Sequence, residues 1–76
     1  MRRLRNHRIY RLPYVERSLY LVSTTDGTFL LYDCELGNRV PPRFEITNDA
    51  RIINWYGEDT GWTVDDLIDT GETFSP

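Results

Sequence analysis

The chain contains one cysteine and one histidine, the side chains from which a nucleophilic site would most readily be built. Cys34 lies in an apolar run that predicts a strand, whereas His7 lies in a polar, basic stretch near the N-terminus. A cysteine nucleophile needs a base within hydrogen-bond reach and surroundings that lower its pKa. Because the pattern brings neither to Cys34, we interpret this residue as a small buried side chain and predict no catalytic residue.

The carboxylates are a second group that could carry chemistry, as a metal site or as an acid–base pair. They are concentrated in the C-terminal third, at Glu58, Asp59, Asp65, Asp66 and Asp69. Their spacing is not that of a calcium-binding loop, and one histidine with one cysteine cannot build a usual zinc site. We therefore predict no metal, no cofactor and no enzymatic activity. An enzyme would need a pocket in which carboxyl groups with raised pKa values converge.

Arginines are concentrated at the other end of the chain and suggest a nucleic-acid interface as an alternative. Arginines there would contact phosphates and a tyrosine would stack on a base, the candidates being Arg2, Arg3, Arg5, Arg8 and Tyr10. The chain as a whole has a formal net charge of −3. Since a nucleic-acid-binding domain usually presents a basic face and not only a basic arm, we rank this function second.

Aromatic and acidic residues around the Gly-Glu-Asp-Thr-Gly segment at 57–61 indicate a protein-binding surface. Tryptophan and tyrosine are enriched at the centres of interfaces, and carboxylates at the rim would steer a basic partner. We expect the preceding strand, the fifth, to lie at a sheet edge with unpaired backbone groups. The predicted partner-binding residues are Trp55, Tyr56, Glu58, Asp59 and Trp62. The alternative is that both tryptophans belong to the core.

The element around which the fold must form is a hairpin over residues 18–35. Two β-prone runs flank Asp26-Gly27, a pair that tolerates the positive φ angles of a two-residue type I′ turn. With that loop, Thr25 lies opposite Thr28, and the faces of both strands follow. One face would carry Leu19, Leu21, Leu30, Tyr32 and Cys34. The other would carry Tyr20, Val22, Thr24, Phe29, Leu31 and Asp33. Both faces are largely apolar, so we expect the hairpin to be central and covered on both sides.

Three further strands are predicted from short β-prone segments, at 8–12, 43–47 and 51–56. A short helix should follow, because Thr63 can cap it, Asp66 stands three residues later, and Gly71 can end it. Its apolar stripe, at spacing i, i+3, i+4, is Val64, Leu67 and Ile68. We find no internal repeat.

The resulting prediction is a mainly β domain with one short C-terminal helix. About five short antiparallel strands would form a small SH3-like or partly open barrel at 8–71, preceded by a flexible basic arm at 1–7 and followed by a tail at 72–76. The single cysteine and the lack of an apolar run of membrane-spanning length lead us to expect a cytoplasmic protein without membrane contact.

The predicted function is that of a non-enzymatic binding module, a regulator or accessory subunit that works through protein–protein contacts. Self-association would be another way to cover its apolar surface. Nucleic-acid binding by the arginine arm is the alternative, and an acidic inhibitor that occupies a basic groove of its partner is the third possibility.

Overall fold

The computed structural model describes residues 3–75, which form seven antiparallel strands in one sheet that curls into a half-barrel. The sheet order is β6-β5-β4-β3-β2-β1-β7, so the two edges are β6 and β7. The strands are β1 Arg8–Arg11, β2 Leu19–Ser23, β3 Phe29–Asp33, β4 Phe44–Ile46, β5 Arg51–Asn54, β6 Asp59–Thr63 and β7 Ile68–Thr73. Two single 3₁₀ turns complete the structure, at Gly37–Arg39 and Val64–Asp66.

Three of the strand connections are hairpin loops of the same kind, over residues 24–28, 47–51 and 54–58. In each, the backbone N–H of the first residue donates to the carbonyl of the fifth, at 2.9–3.1 Å. The fourth residue has a positive φ of 66–86°, at Gly27, Ala50 and Gly57. A three-residue loop that ends in a left-handed residue is the second common way to join antiparallel strands.

The loop length corrects the predicted register of the central hairpin. With three loop residues instead of two, Leu21 pairs with Leu31 and Tyr20 with Tyr32. The prediction was wrong by one residue on β3, and such a slip moves every side chain of a strand to the other face. Leu31 and Asp33 therefore lie on the buried face with Leu19 and Leu21, whereas Leu30 and Tyr32 do not. The Asp-Gly pair fits both loops, since Gly27 takes the left-handed position in either case.

The core fills the concave side of the curled sheet. It consists of the buried residues Tyr10, Leu12, Leu19, Leu21, Leu31, Phe44, Ile46, Ile52, Val64 and Leu67. On the opposite face of the sheet, Tyr20 is stacked between Tyr32 and Phe74, with ring centroids 5.5 and 3.9 Å away. On this face Tyr20 is buried, whereas Val22, Leu30 and Tyr32 are half-buried. The expected cover of the hairpin on both sides is therefore met only in part. β7 includes Glu72 and Thr73, the first residues of the segment predicted as a tail.

The predicted C-terminal helix is wrong: it is a single 3₁₀ turn followed by β7. The capping box forms as expected, and the Thr63 N–H donates to Asp66 Oδ2 at 2.9 Å. The chain then turns extended at Leu67, where ψ is 133°. A two-turn helix is marginal without docking, whereas the extended segment after Leu67 pairs with β1, with Ile68 opposite Arg11 and Asp69 opposite Tyr10. The pairing of β7 with β1 therefore outweighs the helical spacing of Val64, Leu67 and Ile68.

The strand count is also corrected, from five to seven, because β6 and β7 were missed. Both contain the sequence Asp-Thr-Gly, and both form a bulged strand. The first was interpreted as a break after the fifth strand, and the second as the end of the predicted helix. In consequence β5 lies between β4 and β6 and is not an edge strand, contrary to our prediction.

The two edge strands repeat one local structure that the sequence analysis did not find. At 59–61 and again at 69–71, the glycine N–H donates to the aspartate Oδ1 at 2.8 Å. The threonine hydroxyl donates across to an isoleucine carbonyl of the neighbouring strand, Ile52 at 2.6 Å and Ile9 at 2.8 Å. Each aspartate pairs with an arginine of that neighbour at 2.7–2.9 Å. The register shifts at both places, and bulges of this kind protect sheet edges from pairing with other chains.

Candidate partner-binding site

The candidate site is an open groove of about 480 Å³ between the segment that enters β4 and the hairpin loop that follows β5. It is mainly apolar and aromatic in composition. We call it the proline–aromatic groove, and its lining residues are Pro41, Pro42, Arg43, Phe44, Asn54, Trp55 and Tyr56. Concave, mostly apolar sites with a few polar groups are the usual form of small-molecule and cofactor sites.

The loop at 54–58 holds the two aromatic residues of the groove. Asn54 Oδ1 accepts hydrogen bonds from the backbone N–H groups of Tyr56 at 2.9 Å and Glu58 at 3.0 Å, and its Nδ2 donates to Glu58 Oε1 at 3.0 Å. Asparagine favours turns because its side chain can bond to backbone two residues further on. The result is a rigid loop in which Trp55 is 53% exposed and Tyr56 87% exposed.

The other wall of the groove comes from the residues that lead into β4. Phe44 pairs with Asn54 in the β4–β5 ladder, which places the two walls side by side. Pro42 is buried and Pro41 exposed. The Arg43 guanidinium lies 5.8 Å from the centre of the Phe44 ring, within cation–π range. The strand pairing that brings these prolines close to Trp55 has no local signal in the sequence.

Of the five predicted partner-binding residues, the structure places Trp55 and Tyr56 in the groove. Trp62 is half-buried, packs against the core and meets the Phe44 ring edge-on, with centroids 6.1 Å apart. Asp59 binds Arg51 through two hydrogen bonds, 2.7 and 3.1 Å long. These bonds, with one from the Gly61 N–H, lower the pKa of Asp59. Glu58 belongs to the loop described above.

Asp33 is a buried carboxylate beside the groove, and its partners lie within the fold. Its Oδ2 accepts from Arg17 Nε at 2.7 Å, and its Oδ1 accepts from the N–H groups of Glu35 at 2.8 Å and Leu36 at 3.2 Å. Burial acts to raise the pKa of Asp33, but these bonds and the charge of Arg17 outweigh burial and hold the pKa below its usual range. Arg43 Nη1 is 4.0 Å from the same Oδ2, at the outer limit of an ion pair.

Cys34 and His7 do not have the features of a nucleophile and its base. Burial, and the nearby charges of Asp33 and Glu72, raise the pKa of the Cys34 thiol, which is the opposite of activation. His7 has a left-handed backbone with φ 65°, and its N–H donates to the Leu21 carbonyl at 2.6 Å. It borders a shallow pocket with Tyr20 and Tyr32.

The residues of the nucleic-acid alternative do not form one exposed basic and aromatic surface. Arg3 and Arg5 are exposed, while Arg2 lies outside the described residues. Arg8 Nε lies 2.9 Å from Asp69 Oδ1 on β7. Tyr10 is a core residue with 1% exposure, and its hydroxyl accepts from the Arg5 backbone N–H at 3.2 Å. It presents no ring face to a base.

Residues 3–75 contain neither a metal-ligating cluster nor a membrane-spanning helix. Within that range, the histidine, cysteine and carboxylate side chains form no cluster of three or more that could hold a metal ion. Across the same stretch, no helix combines the length and the apolar composition needed to cross a bilayer.

Comparison with known proteins gave no relative: no family model, no curated protein and no solved structure matches the chain.

Proposed function

We propose that the protein is a small non-enzymatic binding module, a regulator or accessory subunit, and that it binds its partner protein at the proline–aromatic groove. One observation carries the proposal: the loop at 54–58 exposes Trp55 and Tyr56 side by side beside an open apolar groove. Large aromatic side chains at the centre of a concave surface supply most of the binding energy in protein interfaces.

The rigidity of the groove supports this function. Three hydrogen bonds of the Asn54 side chain, two accepted by Oδ1 and one donated by Nδ2, fix the loop that carries the aromatic residues. Pro41-Pro42 stiffens the opposite wall. A surface already in its binding conformation loses less conformational entropy when a partner docks. The predicted acidic rim has a smaller part in the proposal, because Asp59 is paired with Arg51.

The test compares two exposed tyrosines on different surfaces. Tyr56 lines the groove, whereas Tyr14 is 99% exposed on the loop between β1 and β2. The full chain, Tyr56→Ser and Tyr14→Ser are each cross-linked in extracts of the source cell, after thermal melts have shown that all three fold. We expect one set of proteins to be captured by the full chain and by Tyr14→Ser, and to be lost with Tyr56→Ser. Equal capture by all three variants contradicts the proposal.

Nucleic-acid binding through the arginine arm is the rival proposal, supported by the exposed Arg3 and Arg5. It requires salt-dependent affinity for single-stranded DNA or RNA that falls when both arginines become alanine. Binding to a basic groove of a partner is the third proposal, and it requires affinity that falls with salt but is insensitive to the arginines. A cytoplasmic location and an SH3-like arrangement of the half-barrel also remain proposals, the second supported by the pairing of the last strand with the first.

A further inference from the structure

The side-chain hydrogen-bonding groups of the proline–aromatic groove are mostly donors. The Asn54 side-chain amide is used by its own loop. The remaining polar side chains of the lining are the Arg43 guanidinium, the Trp55 indole and the Tyr56 hydroxyl. Arginine and tryptophan donate only. Since a buried donor without an acceptor is costly, the ligand has to bring acceptors for these side chains.

The charge of the groove is positive, although the chain as a whole is acidic. Among the described residues that line the groove, Arg43 is the one with a charge, and its side chain is 43% exposed. Its nearest carboxylate, Asp33, already has Arg17 at 2.7 Å and two backbone N–H groups, and is 4.0 Å away. The positive charge of Arg43 is therefore only weakly compensated within the fold. A carboxylate on the ligand would complement it.

The backbone of the groove does not accept an added strand. β5 has β4 on one side and β6 on the other, so its ladder is complete. The wall at Pro41 and Pro42 offers no N–H for a new ladder. A ligand must therefore bind through its side chains and carbonyl groups, and not by extending the sheet.

From these three properties we propose that the groove binds an extended, proline-rich segment of a partner protein that carries a carboxylate next to its prolines. A polyproline II chain makes no internal hydrogen bonds, so its carbonyls are free to accept, and each proline removes a donor. Its rings pack flat against exposed aromatic side chains, and its stiffness lowers the entropic cost of docking. The proposal rests on the proposed function, since it names the ligand class of the same site.

The experiment uses synthetic peptides and the full chain labelled with ¹⁵N. The probe is a peptide of repeated Pro-Pro-Glu triplets. Two control peptides have the same length, one with Pro-Pro-Lys triplets and one with Gly-Ser-Glu triplets. We expect the Pro-Pro-Glu peptide to shift the Trp55 indole resonance and the amides around it, with the Trp62 indole, which packs against the core, as the internal reference.

Arg43→Gln should weaken binding of the Pro-Pro-Glu peptide about tenfold, the usual effect of losing a hydrogen bond to a charged group, and should leave the Pro-Pro-Lys peptide unaffected. Tyr56→Ser should weaken both proline peptides, and Tyr14→Ser neither. Equal binding of the Gly-Ser-Glu peptide, or preference for the lysine peptide, overturns the proposal. So does a dimer of the chain, measured by sedimentation, that Tyr56→Ser dissociates, since a second copy then fills the groove.

The two proposals for this site fail in different ways. If cross-linked capture depends on Tyr56 but the Pro-Pro-Glu peptide shifts no groove resonance, the ligand class is wrong and the binding function stands. If neither capture nor peptide binding depends on Tyr56, both are wrong.

Discussion

Asp33 is the only buried charged residue among the residues that the structure describes, and its contacts explain why it is charged there. It lies at the end of β3 and accepts hydrogen bonds from Arg17 and from two backbone N–H groups of the turn that follows. A carboxylate can be buried when its oxygens have donors, and each lost donor–acceptor pair is costly. Asp33 thus joins β3 to the loop that leads toward the groove.

Replacement of Asp33 by alanine should lower the free energy of unfolding by about 2–4 kcal/mol, because the two backbone N–H groups and Arg17 lose their acceptor. The measurement is urea denaturation at neutral pH. Glu16→Gln, which also removes one carboxylate but at an exposed position, is the control and should change stability by less than about 0.5 kcal/mol. A small effect of Asp33→Ala would mean that solvent replaces these contacts.

At the scale of elements, the two Asp-Thr-Gly strands are the same structure used twice, once at each edge of the sheet. In both, one threonine hydroxyl donates to a carbonyl across the bulge and accepts the N–H two residues on, from Trp62 or Glu72. The hydroxyl takes the place of the ladder bond that the bulge removes.

This equivalence predicts equal effects of Thr60→Val and Thr70→Val. Valine keeps the shape and the β-propensity of threonine but has no hydroxyl, so each change should cost about 1 kcal/mol of unfolding free energy. Thr25→Val, in an exposed loop position, is the matched control and should be close to neutral. Thermal or urea unfolding measures all three. If Thr60→Val and Thr70→Val differ markedly in unfolding free energy, the two Asp-Thr-Gly strands are not energetically equivalent.

The elements also show which information the sequence contains. The central hairpin, β1, β4 and β5 were predicted because each is a short β-prone segment in the sequence. The register of β3 was not, since Asp-Gly fits a loop of two residues or of three. β6 and β7 were missed because their stability comes from pairing with β5 and β1 and not from their own residues. Trp55 and Tyr56 were predicted as site residues from their own residue types. Pro41 and Arg43 were not, because only the pairing of β4 with β5 brings them beside the two aromatic residues.

At the scale of the whole molecule, several carboxylates have lowered pKa values, and this makes stability depend on pH. Hydrogen bonds from the hydroxyls of Thr24 and Thr28 and from the Thr28 N–H lower the pKa of Asp26 to about 2. The pKa values of Asp33 and Asp59 are lowered as well. In the unfolded chain these groups titrate near pH 3.9. The unfolded state therefore binds more protons as the pH falls below about 4.

A group whose pKa is lower in the folded state stabilises the fold above its unfolded pKa, and this contribution is lost as the pH falls through the folded pKa. We expect the free energy of unfolding to be level above about pH 5 and to decline between about pH 4 and pH 2. Urea denaturation at a series of pH values measures this decline. Asp26→Asn keeps an acceptor in the loop but cannot titrate, so its decline should be shallower, and its deficit against the unchanged chain should shrink toward pH 2. Identical slopes for the unchanged chain and Asp26→Asn would show that the loop carboxylate does not contribute.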